Sequence, residues 1–436
     1  MSAISAGDTA WVLLSAALVL VMTVGLAFFY GGLVRPRSAL NTMLMSIVAI
    51  GAVGVLWVLV GYSLAFAPGS AWLGGTGWAL LRGVGAEPNG YAATIPALAH
   101  AAYQGMFATI TPALISGAVV ERMRFRSYVV FIVLWTLVVY VPLAHWVWGS
   151  GGWLARLGAL DFAGGTVVHV SAGVSALVAA LYLGPRRDFR RIPLAPHSVP
   201  LVLLGAGLLW FGWFGFNAGS SLAANGLAAL AFVNTNTAAA AALGTWAIVE
   251  DVRSRKVTAV GLATGAVVGL VGITPAAGFV TPPAAALIGV LCALVSYAAI
   301  QVRSRSALDD SLDVFSCHGM SGIAGALLTG VFASKAMNVA GNDGLLAGNA
   351  SLMGVQALAV LAAALLAGAA TLVLLTLLRY TIGVRVSMRD EIGGLDLSEH
   401  GEEAYFGGDV GAIAGPGLTL GQSVVLSHGP GGSRQA

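Results

Sequence analysis

Two histidines occupy matched positions inside long apolar stretches of the chain. Asp161 precedes His169 by eight residues, Asp310 precedes His318 by eight, and a glycine follows each histidine after four. A neutral imidazole carries one hydrogen-bond donor and one acceptor, so a facing pair can share one hydrogen bond and turn its other nitrogens towards a lumen. The pattern predicts a proton relay, or a set of hydrogen-bonding groups for a small polar molecule.

Three other interpretations of the histidine pair carry less weight. A structural histidine accounts for one such residue but not for two at matched positions, since ionisable groups within a membrane are functional by default. A metal site needs three or more ligands, and no acidic residue accompanies the histidines in mid-span, so neither metal nor cofactor is predicted. An enzyme would need a nucleophile beside them, and helical geometry is expected to turn Cys317 away from His318.

Other side chains near the ends of apolar stretches can support such a site. Asp161 and Asp310 are predicted to cap helix N-termini, where a carboxylate accepts hydrogen bonds from free backbone N–H groups. Trp148 and Ser220 lie at the ends of two further stretches, on the same predicted side of the membrane. An aromatic face with a hydroxyl acceptor makes a site for a small cation, worth about 2 kcal/mol per desolvated cation–π contact.

The composition places these residues in a membrane protein. Hydrophobic residues make up 58% of the 436 residues and charged residues only 9%, whereas soluble domains carry roughly 25% charge. Apolar stretches near the length that crosses about 30 Å of hydrocarbon recur along the chain. Lipid offers no partners to backbone N–H and C=O groups, and the stretches lack the alternation of a barrel, so they are predicted to be helices.

Eleven transmembrane helices account for the apolar stretches. The predicted spans are 10–34, 39–67, 94–120, 127–149, 165–184, 199–221, 226–249, 258–274, 280–302, 314–333 and 352–382. With this count, 18 of the 21 Lys and Arg residues fall on one side, and only Arg82, Arg156 and Lys335 on the other. The positive-inside rule then places the N-terminus outside and the C-terminus in the cytoplasm. No signal-peptide pattern is present in residues 1–9, so the first helix is expected to be retained.

An inverted repeat explains the matched aspartate–histidine pairs. These pairs lie at the start of spans five and ten. A second shared feature, the tetrapeptide Ile-Thr-Pro-Ala, occurs in spans three and eight. Repeats of opposite topology place a site near the bilayer midplane, at the interface between the halves. The predicted transmembrane domain is therefore 1–385, with repeats at about 8–185 and 198–335 and an eleventh helix at about 350–385.

The remaining segment, 386–436, is predicted to be a cytoplasmic tail. It turns from charged to Gly-rich after residue 406, and residues 407–436 are expected to be disordered. The two cysteines, Cys292 and Cys317, lie in or beside apolar stretches and imply no disulfide framework. The basic residues follow membrane topology, so the net charge of +3 indicates no nucleic-acid partner.

Several motifs resemble those of the Amt/Mep/Rh ammonium transporters. They are Phe28-Phe-Tyr-Gly-Gly-Leu-Val-Arg35, Gly117-Ala-Val-Val-Glu-Arg-Met-Arg-Phe125, Asp161-Phe-Ala-Gly-Gly-Thr-Val-Val-His169, Gly212-Trp-Phe-Gly-Phe-Asn-Ala-Gly-Ser220, Asp313-Val-Phe-Ser-Cys-His-Gly319 and Gly394-Leu-Asp-Leu-Ser-Glu-His-Gly-Glu-Glu-Ala-Tyr405. The resemblance covers about residues 8–405. Trp148 and Ser220 indicate the Amt branch, since Rhesus-type members lack that tryptophan.

The resemblance implies a homotrimer in the inner (plasma) membrane, with one pore per subunit. It implies an outer ammonium site of Phe107, Trp148 and Ser220, and a phenylalanine gate of Phe107 over Phe216. The proton-relaying pair would be His169 and His318, with Trp213 in the pore wall beside them. An ammonium sensor with little flux is the alternative within this family. The tail motif also permits regulation by a PII-type signalling protein at the cytoplasmic mouth, although the Gly-rich extension after Tyr405 departs from the family pattern.

Overall fold

The computed structural model describes residues 4–405, and its regular elements in that range are all helical. In chain order the long helices are α1 (Ala6–Leu33), α2 (Pro36–Phe66), α3 (Ala97–Val119), α4 (Phe125–Arg156), α5 (Gly165–Leu183), α6 (Val199–Ser221), α7 (Gly226–Ser254), α8 (Ala259–Ile273), α9 (Pro282–Arg305), α10 (Phe315–Phe332) and α11 (Ser351–Thr381). A short helix, α12 (Met388–Gly393), follows α11. This bears out the prediction of an all-α membrane protein.

Nine of these helices, within the described residues, are long and apolar enough to span a membrane by themselves. The other two are α3, which carries a buried histidine (His100), three buried threonine or serine residues and the partly buried Gln104, and α8, which has only 15 residues. Polar content in α3 and shortness in α8 keep them below the length and hydropathy expected of an isolated span. The count of eleven spans and the predicted orientation therefore stay predictions, as does the inverted repeat.

Glycines bring the two histidine-bearing helices, α5 and α10, into backbone contact. A Cβ atom on Gly173 would overlap the backbone of Gly319, and one on Gly322 would lie only 3.0 Å from the Cβ of His169. Gly173 and Gly322 are the glycines that follow each histidine by four residues. Small residues at this spacing let membrane helices approach closely, so the repeated glycine sets the distance between the histidine side chains.

Both histidines lie in π-helical first turns. Gly165–Val170 opens α5 and contains His169, whose backbone N–H donates to Gly164 five residues earlier at 3.0 Å. Phe315–Gly319 opens α10 and contains His318. π-helical turns are rare and occur often at functional sites, because they re-aim side chains that an α-helix would point elsewhere. The sequence pattern did not predict them.

A buried ion cluster ties the other end of α5 to the start of α10. Arg186 donates to Glu121 at 2.6 Å and to both carboxylate oxygens of Asp309 at 2.9 Å, and Arg35 donates to Glu121 at 2.6 Å. Burial alone would raise the pKa values of Glu121 and Asp309, but the guanidinium groups beside them lower both. The carboxylates are therefore held as anions, and the segments that lead into the histidine-bearing helices are fixed to one another.

The first part of the predicted tail packs on the helices instead of standing apart. Residues up to Ala404 form one compact unit. The Asp396 carboxylate accepts hydrogen bonds from the backbone of Leu40 at 3.1 Å and Asn41 at 2.7 Å, near the N-terminus of α2. Glu399 accepts one from the backbone of Phe125 at 2.9 Å, at the start of α4. The prediction of disorder for 407–436 lies outside the described residues.

Candidate functional site

The outer cavity contains all three residues of the predicted cation site. It encloses about 290 Å³ and is lined by Phe107, Trp148 and Ser220, among others. The Trp148 ring meets Phe107 edge-on, at 6.1 Å between centroids and 85° between planes. The Ser220 hydroxyl donates to the Phe216 carbonyl at 2.9 Å and can accept only from the Tyr103 hydroxyl at 3.1 Å, so one of its lone pairs remains to accept. Aromatic faces and a hydroxyl acceptor, the groups that attract a small cation, thus share one cavity.

Two stacked phenyl rings close the floor of the outer cavity. Phe107 and Phe216 are both 1% exposed, and their centroids are 4.2 Å apart at an interplanar angle of 25°. Tyr103 contacts Phe107 edge-on at 5.0 Å, and its hydroxyl lies 2.8 Å from the Phe216 carbonyl. The stacked rings lie between the outer cavity, which Phe107 lines, and a second cavity, which Phe216 lines.

The histidine pair lies directly below these rings. Nδ1 of His169 is 3.3 Å from Nδ1 of His318, and the two rings are 5.3 Å apart at 29°. His169 also stacks on Trp213 at 5.4 Å and lies 6.0 Å from Phe216. Because the shared bond needs one donor and one acceptor, one remaining Nε2 is an acceptor and the other a donor. The structure thus brings His169 and His318 together, as the sequence pattern predicted.

A middle cavity of about 10 Å³ joins the rings to the histidine pair. That is close to the volume that one water molecule needs. Phe216, His169 and His318 share its wall with apolar side chains, which are Met22, Leu26, Phe29, Ile110, Leu114, Val168, Leu209, Trp213 and Val267. Nε2 of His169 is buried and has no hydrogen-bond partner among the described residues. An unpaired buried nitrogen in an otherwise apolar cavity is suited to one small polar molecule.

An inner cavity of about 440 Å³ begins on the far side of His318. His318 lines both the middle and the inner cavities, so the three cavities form a series. Cys317 lines the inner cavity as well. Both residues line this cavity, and the expectation that Cys317 turns away from His318 stays a prediction.

Asp161 organises the start of α5. Its carboxylate accepts four backbone hydrogen bonds of 2.6–3.0 Å, from residues 164, 165, 166 and 167. Its own carbonyl accepts the Trp148 indole N–H at 2.8 Å, so Asp161 also fixes the aromatic wall of the outer cavity. Asp161 does not line that cavity. Its geometry is that of a positioning residue, as the predicted helix cap required.

Asp310 is not the equivalent of Asp161. One of its oxygens accepts a 2.7 Å hydrogen bond from the backbone of Phe315, while the other is buried with no partner among the described residues. Burial and the neighbouring Asp313 carboxylate raise the pKa of Asp310 to about 7. Asp161 and Asp310 occupy matched positions in the sequence, but their surroundings in the structure differ.

The chain matches a family model described as Ammonium Transporter Family over residues 10–405. The chain belongs to the ammonium transporter family. It is 47% identical over 400 residues to an ammonium transporter of Bacillus subtilis, covering 92% of this chain and 98% of the relative. Homologues with this name are transport proteins, so the expectation that the chain is no enzyme agrees with its family.

Solved structures of similar proteins share the fold. The crystal structure of Candida albicans Mep2 has a TM-score of 0.84 and 36% identity, covering 89% of this chain and 88% of that one. A structure described as Sensor Amt Protein has a TM-score of 0.83 and 29% identity, covering 90% of this chain and 98% of that one. These likenesses bear out the resemblance drawn from the motifs.

Sequence reasoning missed several polar residues of the outer cavity in this family member. His100 and Gln104 line it, two turns and one turn before Phe107 on α3, respectively. The amide oxygen of Gln104 is buried without a partner among the described residues. The spacing of residues 100, 104 and 107 places them on one face of a helix, and that signal was available in the sequence.

Proposed function

We propose that this chain is an ammonium transporter that binds ammonium in the outer cavity, releases its proton there and conducts ammonia past the histidine pair. The observation that carries the proposal is the order of the three cavities. An aromatic cavity suited to a cation is followed by a phenylalanine gate, Phe107 over Phe216, and then by a narrow apolar passage that contains two imidazoles.

The apolar passage supports deprotonation on energetic grounds. Transferring a fully desolvated ion into an apolar medium costs tens of kcal/mol by Born estimates. Potassium has no alternative to that cost. Ammonium can give up a proton and cross as neutral ammonia, which needs only hydrogen bonds. Selectivity for ammonium over potassium then follows from the ability to lose a proton, and not from ionic size.

The histidine pair has two roles in this scheme. Nε2 of His169, unpaired in the middle cavity, is a hydrogen-bonding partner for ammonia. The 3.3 Å contact between His169 and His318 joins the middle cavity to the inner one, which provides a route for a proton. If proton and ammonia both cross, each cycle moves one positive charge.

The assembly and topology belong to the same proposal. We expect eleven spans with the N-terminus outside, a homotrimer in the plasma membrane of the cell and a pore in every subunit. A PII-type protein acting at the cytoplasmic mouth is the proposed regulator. The ordered tail contacts of Asp396 and Glu399 with α2 and α4 provide a surface there whose position depends on the helices.

An ammonium sensor is the second candidate, favoured by the likeness to the Sensor Amt Protein. Flux separates the two. A transporter reconstituted in liposomes is expected to accumulate labelled methylammonium well above empty liposomes, and unlabelled ammonium is expected to compete. Saturable binding of ammonium to purified protein with uptake no greater than in empty liposomes would instead identify a sensor.

A further inference from the structure

His100 is a buried polar group in the wall of the outer cavity. The residue is 1% exposed and shares the cavity with Phe107 and Trp148. Its ring is stacked on Tyr91, at 5.0 Å and 5°, and meets Phe66 edge-on at 5.0 Å and 85°. These contacts hold the plane of the imidazole ring. The directions of its hydrogen bonds therefore decide whether His100 presents a donor or an acceptor to the cavity.

A chain of hydrogen bonds fixes where His100 carries its proton. The backbone N–H of Tyr91 can only donate, and it donates to Oδ1 of Asn89 at 3.1 Å. This sets the orientation of the Asn89 amide, so Nδ2, also a pure donor, is the atom 2.9 Å from the Tyr62 hydroxyl. The Tyr62 O–H has no other acceptor among the described residues, so its single hydrogen points to Nδ1 of His100 at 3.0 Å.

The other nitrogen of His100 is consequently a donor. Nδ1 accepts a hydrogen bond, and a neutral imidazole has one N–H, so that N–H is on Nε2. No second hydrogen bond to His100 occurs within the described part of the chain, and Nε2 is the nitrogen available to a molecule in the cavity. An N–H donor repels ammonium, whose hydrogens all donate, but it fits the lone pair of ammonia.

We propose that His100 is a further substrate-selective residue, whose Nε2–H donates to the nitrogen lone pair that forms when ammonium loses its proton. This rests on the proposed function. One N–H bond of ammonium breaks, its electron pair stays on nitrogen, and the proton leaves to water in the outer cavity. An interaction available to ammonia but not to ammonium favours deprotonation, because it is absent in the reactant.

One isosteric substitution reverses the direction of the hydrogen bonds that lead from Asn89 to His100. In Asn89→Asp, the carboxylate accepts from both the Tyr91 backbone and the Tyr62 hydroxyl. Tyr62 then offers a lone pair to His100, whose Nδ1 takes the hydrogen and whose Nε2 becomes an acceptor. We expect the KM for ammonium to fall about tenfold and the maximal ammonium current to fall about tenfold, the size of one gained or lost hydrogen bond.

Two further variants separate this effect from added charge and from misfolding. Gly90→Asp places the same charge one residue away, where a Cβ meets open space, and leaves the chain of hydrogen bonds intact. It is expected to keep wild-type KM and maximal current. Tyr62→Phe interrupts this series of hydrogen bonds without adding charge, and it is expected to give a mixture of both tautomers of His100.

Nitrogen NMR of protein labelled at histidine reads the tautomer directly, with a His100→Gln sample to assign the signal. We expect protonated Nε2 in the wild type and Gly90→Asp, and protonated Nδ1 in Asn89→Asp. The inference is overturned if the tautomer does not change in Asn89→Asp, or if Asn89→Asp and Gly90→Asp show equal kinetics. Absence of any wild-type ammonium transport would instead refute the proposed function, while the tautomer result would still stand.

Discussion

Replacing His169 or His318 with alanine is expected to lower the ammonium-evoked current about 100-fold or more and to admit potassium. Loss of a positioned proton-transfer group costs about 10²–10⁴ in rate. Alanine also widens the middle cavity of about 10 Å³, so water can enter it and hydrate a passing ion. The measurement is current in proteoliposomes for ammonium and potassium separately.

Glutamine at either position is the matched control for the alanine variants. It keeps a side chain that donates and accepts hydrogen bonds, but it cannot carry a titrating proton. We expect His169→Gln to exclude potassium better than His169→Ala while still losing current. If both alanine variants kept full current and full selectivity, the histidine pair would be structural only.

Asp161→Ala is expected to abolish transport and to destabilise the protein strongly. The substitution leaves four buried backbone N–H groups at the start of α5 without their acceptor. Unsatisfied buried donors cost about 1–3 kcal/mol each, so a loss of at least about 3 kcal/mol is expected even after local relaxation. Thermal unfolding in detergent, followed by tryptophan fluorescence, measures the change.

Asp310→Ala is the matched control at the repeat-related position. It removes an acceptor of the Phe315 and Val314 N–H groups, two backbone donors in place of four, at a carboxyl whose pKa is already raised to about 7. Its unfolding midpoint should fall by much less than that of Asp161→Ala. Equal destabilisation by the two substitutions would contradict the structural role assigned to Asp161.

Strong physical constraints made part of the fold predictable. Lipid requires helices, so the apolar stretches predicted the helices α1 to α11, and most of the helix ends lie within three residues of the predicted ones. The Asp-x7-His pattern predicted that His169 and His318 are partners, and the glycines that follow them explain how α5 and α10 approach closely enough. Each of these signals is local and depends on few residues.

Features that depend on distant residues were not predictable from the sequence. The π-helical turns at His169 and His318 arise from packing between helices, for which no propensity pattern exists. The unequal surroundings of Asp161 and Asp310 depend on neighbouring loops, and the repeat suggested equality. The series of hydrogen bonds from Tyr91 through Asn89 and Tyr62 to His100 joins a loop to two helices, and no spacing in the sequence indicates it.

The same reason applies to the ion cluster at the other end of α5. Arg186 contacts Glu121 and Asp309, residues that lie 65 and 123 positions away in the sequence. In the sequence, these charges served only to assign loops to one side of the membrane. Their pairing became visible once the helices were packed together.

The central claim is that ammonium crosses by giving up its proton, and current in proteoliposomes of the wild-type protein tests it most directly. Equal concentrations of ammonium and potassium are applied in turn to the same vesicles. We predict a transient inward current with ammonium that saturates with concentration, and none above empty vesicles with potassium. Equal currents for the two ions would contradict the claim.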